Sequence, residues 1–143
     1  MTKERLYQYK WIRENIKNLE DRLLEIDTKL QKTTNTLQTD IVQTTKDSDK
    51  WTLLIQKRMD VEELIKAEIC NGLEEMEYIE NIISKLDERG KFLMRLRYID
   101  CLKWEEIVYK CHYEWAQMHR IHATCLKDIG VHKNIGYYKQ DTQ

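Results

Sequence analysis

The sequence predicts an all-α protein, with a long N-terminal coiled-coil-like helical hairpin followed by a C-terminal helix-turn-helix. Three observations lead there. The 143 residues include no Pro and only four Gly, so little in the composition interrupts a helix. Apolar residues in the N-terminal part recur at alternating spacings of four and three, which keeps them on one helical seam. From Trp104 onward the pattern becomes a short helix, a three-residue turn and a longer helix.

The first seam is Ile12, Ile16, Leu19, Leu23, Ile26 and Leu30. It predicts a helix over roughly 4–31, about 42 Å long. The stretch QKTTNTLQTDIVQTTKDSDK follows, and its Thr, Asn, Asp and Gln side chains compete for backbone hydrogen bonds. It predicts a polar loop over 32–49, with Leu37, Ile41 and Val42 as its only aliphatic residues. Ser48 or Asp49 is placed to cap the next helix, expected from about Lys50 to Leu86. Its seam is Ile65, Ile69, Gly72, Met76, Ile79, Ile83 and Leu86, and Gly72 within it implies a close approach or a kink.

Two such helices leave apolar surface open, so residues 1–86 read as an oligomerisation arm and the chain as a homodimer or higher homo-oligomer. Asp87-Glu88-Arg89-Gly90 breaks the seam. A helix over roughly 88–99 offers Phe92, Leu93, Leu96 and Tyr98 to a core, and Asp100 to Lys103 link it onward. Gly130 is placed to end the last helix. Residues 87–130 form the second domain, and 131–143 form a tail without helical period.

Within 104–129, residues three and four apart share a face. Ile107, Val108, Cys111, Tyr113, Met118 and Ile121 would point inward, beside Trp104. Trp115, Ala116, Gln117, His119 and Arg120 would then face a ligand, which for this motif is the DNA major groove. Arg120 suits guanine, Gln117 adenine, and Ala116 a thymine methyl. His119 and His122 supply further donors, and Lys103, Lys110 and Lys127 are placed to reach phosphate. For Trp115 a second role stands beside base or sugar contact, that of covering the turn or joining a dimer contact.

The segments RYIDCLKWEEI and HRIHATCLKDI resemble region 4 of sigma-70-type factors. Together with the coiled-coil N-terminal half and acidic middle helix, they resemble small transcriptional regulators of Gram-positive phages and prophages, the ArpU-like and related families. The resemblance is sharp over 86–129 and architectural before that. It implies a regulator that binds promoter or operator double-stranded DNA, with host RNA polymerase as a further partner. His112 stands where that family usually has a turn glycine, at a position requiring positive φ. Two other readings stay open: a small terminase-like DNA-packaging subunit, and an RNA-polymerase-binding protein without DNA specificity.

Charge is divided along the chain. Residues 1–58 carry a net +3, residues 59–86 a net −6 and residues 87–143 a net +2, which excludes a uniformly basic nucleic-acid binder. No apolar stretch is long enough for a membrane span, and MTKERLYQYKW lacks the apolar core of a signal peptide. Both point to the cytoplasm, where Cys70, Cys101, Cys111 and Cys125 are expected as buried thiols.

His119, His122 and Cys125 lack the paired spacings of a zinc site, so no metal or cofactor is expected. Glu62, Glu63, Glu74, Glu75, Glu77 and Glu80 read as a solvated helix face. No phosphate-binding loop or nucleophile motif occurs, and catalysis is not expected.

Overall fold

The computed structural model describes residues 2–39 and 45–131 and is all-helical over them. The helices run α1 (Lys3–Thr39), α2 (Thr45–Ile83), α3 (Glu88–Tyr98), α4 (Trp104–Cys111) and α5 (Trp115–Asp128). No helix among the described residues is long and apolar enough to cross a membrane. Two compact units divide the chain: Trp11–Glu74, and the start of the chain through Lys10 together with the part from Glu75 onward.

In the Trp11–Glu74 unit, α1 and α2 form a hairpin. Ile12 is buried, and Ile16, Leu19, Leu23, Ile26 and Leu30 are half-buried, as is Thr33 one step further along the same stripe. Leu54 and Gly72 are buried on α2. Arg58 joins the two helices, donating to Asp27 Oδ1 at 2.8 Å and also bonding Glu62 one turn along α2. The stripe expected to lie between copies is thus turned toward the neighbouring helix of its own chain.

Most of the loop expected over 32–49 is helical, because α1 continues to Thr39 and α2 begins at Thr45; the rest of it, 40–44, lies outside the described residues. Ser48 and Asp49 are interior helical residues rather than caps. The threonines do not break the helix because their hydroxyls donate to carbonyls one turn back. Thr28 bonds Leu24, Thr33 bonds Lys29 and Thr34 bonds Leu30, each at 2.9 Å. This geometry satisfies the side chain without withdrawing the backbone from the ladder. Leu37, Ile41 and Val42 have side chains outside the described residues. At Gly72 α2 runs on unbroken, and Ile69, expected in the seam, is exposed.

The other unit has two apolar clusters on either side of α3. One contains Leu6, Ile79, Ile83, Leu86, Met94, Tyr98 and Cys125. The second contains Leu93, Leu96, Ile107 and Met118, with Trp104, Val108, Cys111, Tyr113 and Ile121 packed at its margin. The boundary expected between 86 and 87 therefore falls inside one core, since the first turn of α1 and the last turns of α2 pack with α3 and α5. Phe92, expected in this core, is 51% exposed, and Met94 is buried in its stead. Phe92 cannot share the inner faces of an eleven-residue helix that already turns Leu93, Met94, Leu96 and Tyr98 inward.

Local chemistry sets the helix ends. Asp87 Oδ1 accepts from the Gly90 amide at 3.0 Å and caps α3, satisfying one donor with no partner within the helix. Gly90 is there for space. A Cβ would lie 2.7 Å from Asp87 Oδ1 and 2.8 Å from Cys125 Sγ, so only glycine lets α3 approach α5 this closely. Gly130, at φ 73°, ends α5 as expected. The Gly130 amide donates to Lys127 O at 3.0 Å and the Val131 amide to Leu126 O at 2.8 Å, the Schellman pattern.

Arg97 ties the elements together. It donates to Leu102 O at 2.9 Å and to the Tyr7 hydroxyl at 3.1 Å, with its guanidinium 4.5 Å from the centre of the Trp104 ring. Arg95 grips Glu80 with both Nε and Nη2, and Arg5 does the same to Glu75. These last two pairs are solvent-facing, where water and salt screening leave an ion pair little net effect on stability. Of the four cysteines only Cys125 is buried, Cys70 being exposed and Cys101 and Cys111 intermediate.

Candidate nucleic-acid interface

Helices α4 and α5 are joined by His112, Tyr113 and Glu114. His112 takes the left-handed conformation, φ 53° and ψ 33°, at the position where the resemblance implied positive φ. Tyr113, half-buried, packs against the cluster of Leu93, Leu96, Ile107 and Met118. Glu114 is extended, and its carbonyl receives the Met118 amide at 3.0 Å as the first bond of α5. At the start of α4, the Glu106 carboxylate accepts from the Lys103 amide at 2.8 Å.

Inward residues fix which face of α5 remains outside. Met118, His122 and Cys125 are buried and Ile121 is half-buried. The opposite face carries Ala116, Gln117, Arg120, Ala123, Thr124 and Lys127, all exposed. Ala116, Gln117, Arg120 and Lys127 were expected there. Ala123 and Thr124 were missed, although helical spacing from Arg120 finds both. Thr124 turns its hydroxyl back onto Arg120 O at 3.0 Å. Lys103 and Lys110, expected at phosphate, are also exposed.

His122 is placed otherwise than the sequence reading had it. It is 6% exposed, and its Nε2 is hydrogen-bonded to the Tyr98 hydroxyl at 2.9 Å. Burial, helped by the positive charges of Lys3 and Arg97, lowers its pKa from 6.5 to about 4. It is a neutral core histidine and offers no donor to a surface ligand. Burial likewise pushes the Tyr98 phenol up, and the Cys125 thiol up to about 11, so both stay protonated at neutral pH.

His119 is half-buried, with its ring centre 4.9 Å from both Trp104 and Trp115. Trp104 in turn meets His122 edge-on at 4.8 Å. A continuous row of rings, Trp115, His119, Trp104, His122 and Tyr98, therefore runs from surface to core. It holds α5 against α4 and leaves Trp115 50% exposed at the start of α5. Among the described residues, no group of three His, Cys, Asp or Glu side chains is placed to hold a metal ion.

A cleft of about 490 Å³ borders the outer face of α5. Gln117, Arg120, Thr124 and Asp128 line it from α5, while Lys85, Asp87 and Arg89 line it from the α2–α3 junction. Lys85 and Arg89 were not among the sequence-derived candidates, because nothing in their local pattern ties them to residues some thirty positions later. The fold thus gathers three cations beside Gln117. No protein-family model, curated protein or solved structure matches this chain.

Proposed function

We propose that this chain is a DNA-binding transcriptional regulator of phage or prophage type, in which α4 and α5 act as a helix-turn-helix similar to sigma-70 region 4. The observation that carries the proposal is the two-sidedness of α5. One face is locked into the core by Met118, His122 and Cys125, and the other offers Ala116, Gln117, Arg120 and Lys127 outward. An α-helix held in this way fits the major groove. Arg120 would read guanine and Gln117 adenine, and Lys103, Lys110 and Lys127, joined by Lys85 and Arg89 beside the cleft, would meet phosphates.

Selection of bound fragments from a random DNA pool at moderate salt tests this reading. A sequence preference should emerge. Arg120→Ala should then relax it at one base position and cost about 1–3 kcal/mol there, whereas Lys127→Ala should weaken all sequences alike and reduce the salt slope by about one unit. If Arg120→Ala and Gln117→Ala leave affinity and preference unchanged, α5 is not a reading helix.

One observation favours a second reading, in which the same unit binds RNA polymerase without reading DNA. Tyr109, Phe92 and Trp115 are 81%, 51% and 50% exposed, and exposed aromatics are the usual anchors of protein interfaces. Retained polymerase binding with no DNA binding at low salt would select it.

A further inference from the structure

Along α2, the residues facing α1 are not the only apolar row. Leu54 and Gly72 are buried and Val61 and Ile65 half-buried on the hairpin side. A second row, one position further round the helix, consists of Trp51, Ile55, Met59, Glu62, Lys66, Ile69 and Leu73. Trp51, Met59, Ile69 and Leu73 in it are 40%, 53%, 42% and 55% exposed. From Ile55 the spacings are 4, 3, 4, 3 and 4, those of a coiled-coil seam. The row covers roughly 33 Å of helix.

We propose that this row is the contact between two copies of the chain, with α2 packed antiparallel on its two-fold mate. The occupant is identified by self-complementarity. A two-fold axis that sets Glu62 opposite Lys66 also sets Met59 opposite Ile69 and Ile55 opposite Leu73, so the apolar residues from Ile55 to Leu73 meet apolar ones and the central charges pair twice, while Trp51 lies beyond this paired stretch. Such a contact, in which each residue meets its partner's counterpart reciprocally, is the form a two-fold interface takes. Within its own chain Glu62 engages Arg58 through Oε1 and Lys66 reaches Glu63 at 3.4 Å, both at solvent-exposed or half-exposed positions that an opposing copy can share.

The parallel arrangement is disfavoured, since it stacks Glu62 on Glu62 and Lys66 on Lys66. The wider charge pattern agrees. Residues 50–58 carry a net +3 and residues 62–74 a net −3, so antiparallel copies lay each half on its opposite. A charged pair within an otherwise apolar seam is a known device for setting register and orientation. This inference does not depend on the DNA-binding proposal.

Sedimentation equilibrium of the full chain at about tens of micromolar, a range that captures ordinary interfaces, tests it. Wild type should be a dimer. Lys66→Glu, which places Glu against Glu twice, and Glu62→Lys, which places Lys against Lys twice, should each weaken association about 100-fold or more. Helicity by circular dichroism should be retained in both. An equimolar mixture of the two variants should associate again, because both central contacts become Glu–Lys; loss of folding cannot produce that rescue. A monomeric wild type, a single variant that remains dimeric, or a mixture that stays monomeric overturns the proposal. So does a dimer lost on Leu24→Lys but not on Lys66→Glu, which would place the contact on α1.

Discussion

The two units bury similar side chains to very different depths. Among the described residues of Trp11–Glu74, Ile12 and Leu54 are the buried apolar side chains, while Leu24, Leu53, Met59, Leu64 and Leu73 are each more than half exposed. In the other unit Leu6, Ile79, Ile83, Leu93, Met94, Ile107 and Met118 are wholly buried. Both are made of amphipathic helices, so propensity does not separate them. Enclosure does. Two helices touch along one line and cover a stripe from one side only, whereas α3 is covered on both sides by elements arriving from three parts of the chain. An amphipathic stripe therefore becomes a core only when a third element closes over it.

The largest effect expected from this contrast is on core truncation. Ile107→Ala should lower the stability of the unit containing α3 to α5 by about 2–5 kcal/mol, the range for emptying a closed site. Leu19→Ala, in a half-buried hairpin position, should cost about 1 kcal/mol, since only part of its area leaves water. Thermal unfolding of both variants checks this. Equal losses would mean that the hairpin is as enclosed as the core, and the contrast would fail.

His122 sharpens the comparison through pH. Its folded pKa, about 4, lies below the ordinary 6.5, so the unfolded chain binds the proton more tightly. The stability it contributes is fully present above about pH 6.5 and is lost as pH falls toward 4, to a limit of about 3 kcal/mol. Melting of this unit should fall between pH 6.5 and 5, and His122→Gln should flatten that slope. The hairpin, with no histidine between Trp11 and Glu74, should show no such slope. A wild-type unit whose melting stays level across this range would remove His122 from the core.

The smallest effect is a gain. His112 holds a left-handed conformation that costs a side-chain-bearing residue about 1–2 kcal/mol. His112→Gly should raise stability by about 1 kcal/mol, less what glycine loses in chain entropy. The melting temperature should rise by a few degrees. A fall would show that the histidine side chain supports the turn.

Much of the candidate site was legible in sequence because its signals are local. Ile107, Val108, Cys111, Met118 and Ile121 repeat at helical spacing, and their inward placement leaves Ala116, Gln117 and Arg120 outside without reference to any other element. His122 was misread for the opposite reason. Its neighbours in sequence are those of a surface donor, and only the arrival of Tyr98 and Trp104 makes its position interior. The polar run from Gln31 to Thr39 was misread because threonine was weighed as a competitor of the helix, whereas Thr33 and Thr34 bond back to the turn before them.

The sequence by itself determined that the chain is helical and where the helices after Leu86 start and stop, while the family resemblance implied a positive-φ turn at His112. Spacing, the Asp87-Glu88-Arg89-Gly90 break and a Gly130 terminus act over a few residues and need no fold to be read. Only the tertiary structure decided which amphipathic faces are closed. It brought Leu6 and Ile83 to Tyr98 and Cys125, required Gly90 for want of room beside Cys125, set Lys85 and Arg89 next to Arg120, and left the Met59–Ile69 row of α2 open. Those outcomes depend on residues far apart in the chain meeting in space, and a periodicity states only that a face exists, not what covers it.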